Sequence, residues 1–429
     1  MNKEIKQRIT QLNNGEVPNG YKKTEFGVFP CDWVTDKKLK DLGAFGKGKG
    51  LPGDKMVAEG VPCVGYGDIY MKYNHFHFED AKTFVDEDTA SESQPIQKGT
   101  LLFTGTGETA EEIGKCVCYN GEETIYAGGD IITFVSDKVD PLFLAYQQYQ
   151  NFSLRKKASF GQGHSVVHIQ RDNLEKLNVA FPQSAEEQSK IAEILMKWDE
   201  AIKLQEQYID SCTKLKKCLL NKLFKYENEE YSLVPLGDLV DSIQSGGTPS
   251  TSQSEYFEGD IVWVSIDDIS RSGKYISDSS RKLTKKGIEN SSAKLFPIGT
   301  ILYAMYASIG KCAISSVECS TSQAILGIIP THAKVDTQYL YYYLCSVQDK
   351  IVLQGQHGAQ SNLNKNMVSK IKIPIPIDDN CFDIKKQKHI SDILATIDDV
   401  IAMNSTKLFD LNQQRKALQQ YLLNGIVRV

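Results

Sequence analysis

Two matched sets of polar, glycine-containing segments are the parts of this chain best suited to chemistry. The first set comprises GKGKG (46–50), TGTGET (104–109) and FGQGHSVVH (160–168), and the second comprises QSGGTPSTS (244–252), MYASIGK (305–311) and GQHGAQSNLNK (355–365). Glycine lets backbone amides approach a phosphate, while amide, hydroxyl, imidazole and ammonium groups can hydrogen-bond to base edges in a DNA groove. Any one segment is typical of an ordinary surface loop. Their recurrence at matching places in both halves of the chain favours a binding function.

One of these segments has the form of a cofactor motif. Residues 48–53 (GKGLPG) match the GxGxxG dinucleotide fingerprint, but Pro52 and the absence of a following helix remove the helix N-terminus that would hold a pyrophosphate. The favoured interpretation is a flexible loop that brings Lys47 and Lys49 near a phosphate backbone.

Other catalytic motifs do not occur in the sequence. The Gly114-Lys115 and Gly310-Lys311 pairs are followed by cysteine, and the glycine expected five residues earlier is Thr109 or Met305, so neither forms a P-loop. The sequence contains no nucleophile elbow, no S-adenosylmethionine loop and no NPPY-like tetrapeptide. We therefore expect no catalytic residue and no bound cofactor. A stand-alone methyltransferase or nuclease is the less favoured alternative.

Histidine and cysteine are residues of this sequence that could serve as metal ligands. His75 and His77 alternate with Phe76 and Phe78, which places both imidazoles on one face of a predicted strand. Such a pair could bind a metal ion, but a solvent-facing strand is the favoured interpretation. The ten cysteines are scattered and include no CxxC pair, so we expect reduced packing residues. The sequence predicts no metal site.

The composition predicts a folded, soluble protein with several domains. The chain has 429 residues, of which 41% are apolar and 24% charged, and its formal net charge is -5. A typical domain has roughly 100–200 residues, so we expect two to four domains. No apolar run approaches the length needed to cross a bilayer, and the polar N-terminus is unlike a signal peptide, which predicts a cytoplasmic location. The net charge does not argue for nucleic acid, although an acidic protein can still hold a basic groove.

An internal repeat organises the chain. The matching segments are LKDL (39–42) and LGDL (236–239), KGTLLF (98–103) and IGTILY (298–303), IGKC (113–116) and IGKC (309–312), and LNVAFP (177–182) and IKIPIP (371–376). Each half contains β-rich runs separated by Gly, Pro, Ser and Asn clusters, together with helical runs. We therefore expect the same mixed α and β domain twice.

A long helix is predicted at the end of each half. Residues 187–202 align with residues 386–401 at a constant offset of 199 positions. Apolar residues spaced alternately four and three apart form a coiled-coil seam, which begins with Ile191, Leu195, Trp198 and Ile202 in the first copy and with Ile390, Leu394, Ile397 and Ile401 in the second. Gln205 and Lys216 interrupt the first seam where Asn404 and Arg415 interrupt the second. Because an isolated helix of this length could bury its stripe only against its twin, we expect the two helices to pair.

Longer phrases of the sequence resemble a known family. They are VPNGYKKTEFGVFPCDW (17–33), SGGTPSTSQSEYFEGDIVWVSIDDIS (245–270), GTILYAMYASIGKCAI (299–314), QSNLNK (360–365), EQSKIAEIL (187–195) and KQKHISDIL (386–394). Together they resemble the specificity (S) subunits of type I restriction-modification systems over nearly the whole chain. The resemblance implies an α+β fold with two mixed α/β target-recognition domains in tandem pseudo-repeat, separated by two long helices that form an antiparallel coiled coil. We expect the domains at 1–182 and 227–385, and the conserved helices at 183–226 and 386–429.

The resemblance also implies a function. In that family each target-recognition domain reads one half of a bipartite, asymmetric site in double-stranded DNA, and the coiled coil sets the spacer and docks two methyltransferase (M) subunits. The chain itself would be non-catalytic. S-adenosylmethionine and ATP are expected only on partner subunits, which include restriction/translocase (R) subunits in the full complex, and no membrane partner is expected. A coiled-coil scaffold that does not bind DNA is a further alternative, but it leaves the matched polar loops unexplained.

By the same resemblance, the polar loops supply the DNA contacts. The expected contacts are Lys47, Lys49, Thr106, Gln162, His164 and Ser165 in the first domain and Thr248, Ser250, Tyr306, Ser308, Gln360, Ser361, Asn362 and Lys365 in the second. Lysines are expected to anchor phosphates, and amide and hydroxyl groups to read bases. The first domain departs from the family's pattern, because it has GKGKGLPG in place of a glycine-threonine-proline loop.

Overall fold

The computed structural model describes residues 3–51, 53–73, 76–163, 166–226, 230–356 and 363–429. The chain divides into two compact units. The first comprises residues 1–206 and 407–429, and the second comprises residues 207–406. Each unit therefore contains one globular domain together with a part of each long helix.

The first unit combines many short strands with short helices and one long helix. Its helices are α1 (Lys3–Asn13), α2 (Tyr66–Met71), α3 (Glu87–Ser91), α4 (Pro141–Gln147), α5 (Asn151–Phe160), α6 (Arg171–Leu174) and the first part of α7 (Ala185–Leu223). Its strands are β1 (Tyr21–Lys23), β2 (Val28–Pro30), β3 (Trp33–Lys38), β4 (Gly43–Lys47), β5 (Met56–Val57), β6 (Val61–Val64), β7 (His77–Phe78), β8 (Thr83–Val85), β9 (Gln94–Ile96), β10 (Leu101–Thr104), β11 (Thr106–Gly107), β12 (Cys116–Tyr119), β13 (Ile125–Ala127), β14 (Ile131–Ser136), β15 (Val167–His168) and β16 (Asn178–Pro182).

The second unit has a similar set of elements. Its helices are α8 (Ile266–Arg271), α9 (Lys285–Glu289), α10 (Thr337–Gln356), α11 (Lys365–Ser369) and the first part of α12 (Ile384–Leu423). Its strands are β17 (Tyr231–Pro235), β18 (Val240–Ser245), β19 (Phe257–Val264), β20 (Tyr275–Ile276), β21 (Arg281–Leu283), β22 (Ile301–Ala304), β23 (Cys312–Ser315), β24 (Cys319–Thr321), β25 (Ile325–Pro330), β26 (Lys372–Asp378) and β27 (Cys381–Phe382).

The central sheets of the two units have the same topology. The order is β4-β14-β10-β12-β7 in the first unit and β18-β25-β22-β23-β20 in the second. In each sheet only the last pair, β12 with β7 or β23 with β20, is parallel. All residues of β10, β12, β22 and β23 are buried, as expected for apolar strands covered on both faces. The structure therefore repeats the α+β domain that the internal sequence repeat predicts.

Each long helix packs first against the domain that precedes it. Ile191 and Leu195 of α7 belong to the same buried core as Phe143 of α4, and Ile390 and Leu394 of α12 belong to the core of the second unit. The expectation that the apolar stripe could be buried only against the twin helix was therefore wrong for these first turns. The reason is that β16 and β27, which end at Pro182 and Phe382, lead almost directly into helices that begin at Ala185 and Ile384.

The rest of the predicted seam is also the less exposed face of each helix. Ile202 is buried, and Trp198, Ile397 and Ile401 are half-buried. By contrast, Leu204 is 65% exposed, although it lies only two positions beyond Ile202. The pattern follows the four-and-three spacing rather than hydrophobicity alone.

Ion pairs join the helical segments within each unit. In the first unit Glu187 contacts Arg428 and Asp199 contacts Arg415. Residue numbers therefore increase along one segment in the direction in which they decrease along the other. In the second unit Lys216 contacts Asp398. The paired segments of the first unit are therefore antiparallel. Among the described residues, no helix combines the length and the hydropathy needed to span a membrane.

Candidate nucleic-acid interface

A cavity in the first unit brings together three of the polar loops. It has a volume of about 530 Å³ and is lined by Gly46, Lys47, Gly105, Thr106, Gly129, Asp130, Ile132, His168, Ile169, Gln170 and Arg171. Backbone hydrogen bonds hold these segments in place: the Gly105 amide donates to the Asp130 carbonyl at 2.8 Å, and the Ile169 amide donates to the Gly105 carbonyl at 2.9 Å. The cavity is therefore built on the edge of the central sheet.

Thr106 and Gln162 lie on either side of His168. Thr106 pairs with His168 between β11 and β15, and the Thr106 Oγ1 atom is 3.3 Å from His168 Nδ1. Gln162 exchanges two backbone hydrogen bonds with His168, at 3.1 and 2.9 Å. The structure thus places a hydroxyl, an imidazole and an amide side by side, and all three groups can read base edges. His164 and Ser165, which were also expected here, lie outside the described residues.

Lys47 and Lys49 have different positions. Both side chains are exposed, but only Lys47 lines the cavity. The loop that carries them is held by hydrogen bonds, because the Gly48 amide donates to the Ile131 carbonyl and the Lys49 amide donates to the Ala127 carbonyl. A Cβ atom at Gly48 would stand 1.8 Å from the Gly128 carbonyl oxygen, so this close approach requires glycine.

The GxGxxG segment does not lead into an α-helix. Gly50 and Leu51 have positive φ, and the Leu51 side chain is buried beside Cys63 and Val85. A short 3-10 turn at 53–55 follows. Pro52 lies outside the described residues. The arrangement lacks the helix that a dinucleotide fingerprint needs.

Tyr70 holds the TGTGET loop from behind, and Lys157 holds the segment that follows this loop. The Tyr70 hydroxyl is 2.8 Å from Thr104 Oγ1 and also reaches the carbonyl of Thr106 at 3.2 Å. The Lys157 ammonium is almost fully buried and donates to the Gly114 carbonyl at 2.8 Å. Burial lowers the pKa of Lys157 to about 8. Tyr70 therefore positions the loop, and neither Tyr70 nor Lys157 lines the cavity.

The predicted contacts do not include four of the polar residues that line this cavity, namely Asp130, His168, Gln170 and Arg171. The internal repeat contained the signal for Arg171. The Ile169 amide donates to Gly105, and the Leu363 amide donates to Met305 at 3.3 Å, so the two segments occupy equivalent places. Arg171 begins α6 as Lys365 begins α11. Lys365 is among the predicted contacts, and its counterpart Arg171 is not.

In the second unit, Tyr306 and Lys365 are carried by segments that are joined at Met305. The Met305 amide donates to Ala324, and its carbonyl accepts from Leu363. Tyr306 is 38% exposed, and Lys365 is exposed at the start of α11, whose cap is Asn364. Gln360, Ser361 and Asn362 lie outside the described residues.

Thr248, Ser250 and Ser308 lie at other points of this domain. Thr248 and Ser250 are exposed and follow two glycines that are fixed against the sheet; the Trp263 Nε1 atom donates to the Gly247 carbonyl at 3.1 Å. The hydroxyl groups of Ser250 and Ser252 form a hydrogen bond, with 2.8 Å between their Oγ atoms. Ser308 is half-buried, with its hydroxyl 3.1 Å from that of Ser270.

A second cavity lies close in sequence to Ser250 and was not predicted. It has a volume of about 640 Å³ and is lined by Thr251, Phe257, Glu258, Gly259, Ser279, Ser280, Arg281 and Lys282. Glu258 has a φ of 62° and sits in a bulge of β19 opposite β21. The bulge leaves Arg281 and Lys282 exposed at the rim, where they could contact a phosphate backbone.

The predicted histidine pair can be described only in part. His77 is half-buried on β7, and His75 lies outside the described residues. Within the described part of the chain, no group of three or more His, Cys, Asp or Glu side chains is placed to hold a metal ion.

The geometry of two matched, polar, non-identical loop sets agrees with the comparison with known proteins. The model of the type I restriction modification DNA specificity domain matches residues 30–213 and again residues 228–413. The chain therefore belongs to the family of type I restriction-modification specificity subunits and carries two target-recognition domains in tandem. This confirms the resemblance seen in the sequence.

Individual relatives and structures agree with this assignment. The chain is 25% identical to the type I restriction enzyme MjaVIII specificity subunit of Methanocaldococcus jannaschii, over 78% of this chain and 80% of that protein. It is 24% identical to the provisionally named MjaX specificity subunit of the same organism, over 95% and 97% of the two chains. The fold is similar to that of the type I restriction-modification S subunit from M. genitalium, with a TM-score of 0.59, 16% identity and coverage of 91% and 96%.

Proposed function

We propose that this chain is the DNA sequence-recognition subunit of a type I restriction-modification complex, and that each domain reads one half of a bipartite, asymmetric site in double-stranded DNA. The proposal rests on one observation: the two domains have the same backbone topology but carry different side chains at equivalent loop positions. Thr106 and Tyr306 follow equivalent strands, β10 and β22, and occupy the same position in the repeat. An equivalent place with a different side chain is what two different half-sites require.

Within each domain the side chains divide into two roles. Arg171 and Lys365 begin equivalent helices and would bind phosphates, which fix the register of the domain on DNA. Thr106, Gln162 and His168 in the first domain, and Tyr306 in the second, would contact base edges. Lys47 lines the same cavity as Arg171 and would add a second phosphate contact.

The two long helices would serve as spacer and docking site. We propose that they form an antiparallel coiled coil over their full length, which sets the gap between half-sites and binds two methyltransferase subunits. At 1.5 Å per residue, helices of 39 and 40 residues are each roughly 60 Å long. The chain would be non-catalytic. S-adenosylmethionine and ATP would bind only to the methyltransferase and restriction subunits, in the cytoplasm.

A selection from random DNA tests this proposal. The full chain is mixed with its methyltransferase partner, and bound duplexes are recovered and sequenced. The expected result is two short specified blocks separated by a gap of fixed length. A single block, or recovery no better than that of a partner-only control, would contradict a bipartite reader and favour a scaffold.

The same preparation separates the proposal from the enzymatic alternative. Methyl transfer to adenine is expected only after the methyltransferase subunit is added. S-adenosylmethionine binding or methylation by the pure chain would identify a stand-alone methyltransferase.

A further inference from the structure

Two cysteines that are distant in sequence lie in contact beneath a polar loop of the second domain. The sulfur of Cys312 on β23 is 3.7 Å from the sulfur of Cys345 on α10. Cys312 is buried, and Cys345 is half-buried. A disulfide has an S–S distance of about 2.05 Å, so the two sulfurs must approach each other by less than 2 Å to form one.

The surroundings of Cys345 favour its thiolate. The hydrogen bond from the Cys312 thiol lowers the pKa of Cys345; burial opposes this effect, while the Tyr341 hydroxyl and the Lys216 charge add to it. The same contact and burial hold the pKa of Cys312 well above its ordinary value, so Cys312 is the thiol that keeps its proton. A stabilised thiolate with access to solvent is the reactive form of cysteine.

Tyr303 places a further polar group at this pair. Its side chain is fully buried, and its hydroxyl has no hydrogen-bond partner among the described residues. Tyr303 is paired with Cys312 across the sheet, and burial raises the pKa of its hydroxyl. A buried hydroxyl without an acceptor is unusual, and an oxygen added to a neighbouring sulfur would supply one.

We propose that Cys312 and Cys345 form a dithiol site that hydroperoxides oxidise to a disulfide. The Cys345 thiolate attacks the terminal peroxide oxygen, an S–O bond forms, and the O–O bond breaks. The departing oxyanion takes up a proton and leaves as water or an alcohol. Cys312 then attacks the sulfur of the Cys345 sulfenic acid, the S–S bond forms, and the S–O bond breaks. The hydroxide leaves with the Cys312 proton as water. Two thiols lose two electrons, and the peroxide gains them.

The first domain holds a different pair at the same place. Cys116 is opposite Phe103 in the sheet as Cys312 is opposite Tyr303, so the two cysteines are equivalent. There the neighbour on the helical side is Tyr149, whose hydroxyl donates to the Cys116 carbonyl at 2.7 Å. A phenol cannot form a disulfide. The oxidation is therefore specific to the second domain.

The position of the dithiol gives oxidation a consequence for DNA reading, and this step rests on the proposed function. Cys312 directly follows the loop 305–311, which carries Tyr306. One turn after Cys345, Gln348 donates from Nε2 to the carbonyl of Ile309 in that loop at 3.1 Å. Closing the disulfide draws α10 and the base of the loop together. We expect about tenfold weaker binding to the second half-site, with the first half-site unaffected.

Peptide mapping of the full chain tests the dithiol itself. The reduced protein is treated with hydrogen peroxide, its remaining thiols are alkylated, and it is digested with trypsin. We expect peptides 312–334 and 335–350 to be linked, with fragmentation placing the bond at Cys312 rather than Cys319. The link should persist in Cys381→Ser, which removes an exposed cysteine, and should disappear in Cys345→Ser and in Cys345→Ala. Independent alkylation of Cys312 and Cys345 after peroxide treatment would overturn the proposal.

DNA binding with the methyltransferase partner, before and after oxidation, tests the consequence. Loss of second-half binding in wild type, restored by a thiol reductant and absent in Cys345→Ser, supports the switch. A linked chain with unchanged affinity for both half-sites overturns the switch. Failure of the reduced chain to bind DNA contradicts the proposed function instead, because the peptide map does not depend on DNA.

Discussion

Asp199 of α7 and Arg415 of α12 form a buried ion pair within the first unit. The Arg415 Nε atom donates to Asp199 Oδ1 at 2.8 Å, and the two side chains are only 9% and 5% exposed for Arg415 and Asp199. Tyr146 of α4 donates from its hydroxyl to Asp199 at 2.7 Å, so one carboxylate joins the domain to both helices. The Arg415 guanidinium also lies 4.2 Å from the ring centre of Phe76.

The second unit repeats this relationship with one substitution. Asp398 accepts from Tyr342 at 2.7 Å and contacts the ammonium of Lys216 at 2.5 Å. Lys216 and Arg415 are the matched polar positions that interrupt the two predicted seams. Each cation neutralises a carboxylate that would otherwise be held only by a tyrosine hydroxyl, in a pair that is buried in the first unit and half-buried in the second.

Replacement of Arg415 should destabilise the first unit strongly. In Arg415→Met the Asp199 carboxylate keeps only the Tyr146 hydroxyl, and an unpaired buried charge costs about 3–5 kcal/mol in the free energy of unfolding. Arg415→Lys, which copies the residue of the second unit, should lose much less. Denaturant unfolding of the full chain measures both. Lys190→Met, which removes an exposed helix pair with Glu186, should have little effect, and an equal effect of the two Met variants would show that Arg415 has no special role.

The helices and the repeat could be predicted from sequence because they depend on local spacing. The four-and-three pattern identified Ile202 as buried although Leu204 is equally apolar, and the structure separates them in the same way. The first turns were different, because burial of Ile191 and Leu195 against the domain depends on tertiary packing that a helical pattern does not contain.

Local sequence identified candidate site residues mainly where they stand in a glycine-containing loop. Thr106 and Lys47 stand in glycine-containing loops and were chosen. Arg171 begins a short helix with no such glycine, and only the pairing of Ile169 with Gly105 brings it into the cavity. Arg281 and Lys282 are exposed at a cavity that is shaped by a bulge in β19. The local sequence pattern did not predict this bulge.

Lys157 should make the stability of the chain depend on alkaline pH. Its pKa falls from 10.5 when exposed to about 8 when folded, so the unfolded state binds more protons between these values. The buried charge of Lys157 lowers the free energy of unfolding by its largest amount below pH 8. This destabilisation disappears as the pH rises from 8 to 10.5. Relative to Lys157→Met, the wild type should therefore gain about 3 kcal/mol between pH 7.5 and 10.5. Unfolding at a series of pH values measures this. In Lys156→Met, a change at the exposed neighbouring residue, the free energy of unfolding should depend on pH as it does in the wild type. The same pH dependence in Lys157→Met would contradict the prediction.

Exchange of the second domain should change one half of the recognised site. Residues 231–376 are replaced by the equivalent domain of another family member, and the methylated adenines in a host carrying the complete system are sequenced. Because each domain holds its own loop set on a common frame, one half-site should change and the other should remain. The reciprocal exchange of residues 30–182 is the control. Altered bases in both halves after a single exchange would show that the domains do not read independently.

Arg171 and Lys365 should contribute affinity without contributing sequence preference. Removal of one phosphate contact lowers the slope of log K against log salt by about 1 and weakens binding to all sequences alike. Arg171→Ala and Lys365→Ala should each show this in binding titrations at several salt concentrations. Arg155→Ala, which removes an exposed arginine of α5 outside the cavity, should leave the slope unchanged. A changed base preference in either variant would assign that residue to base readout.

Lengthening both helices should widen the gap between the half-sites. The units divide between residues 206 and 207 and between 406 and 407, so four residues are inserted at each of these points. Each insertion lengthens a helix by about 6 Å, which is nearly two base pairs at about 3.4 Å each. The added turn also rotates the helix, so affinity can fall, but the half-site bases should stay the same. Selection from DNA with random gaps measures the preferred spacing, and an insertion in only one helix serves as the mismatched control. Recovery of the original gap with altered bases would show that the helices do not set the distance.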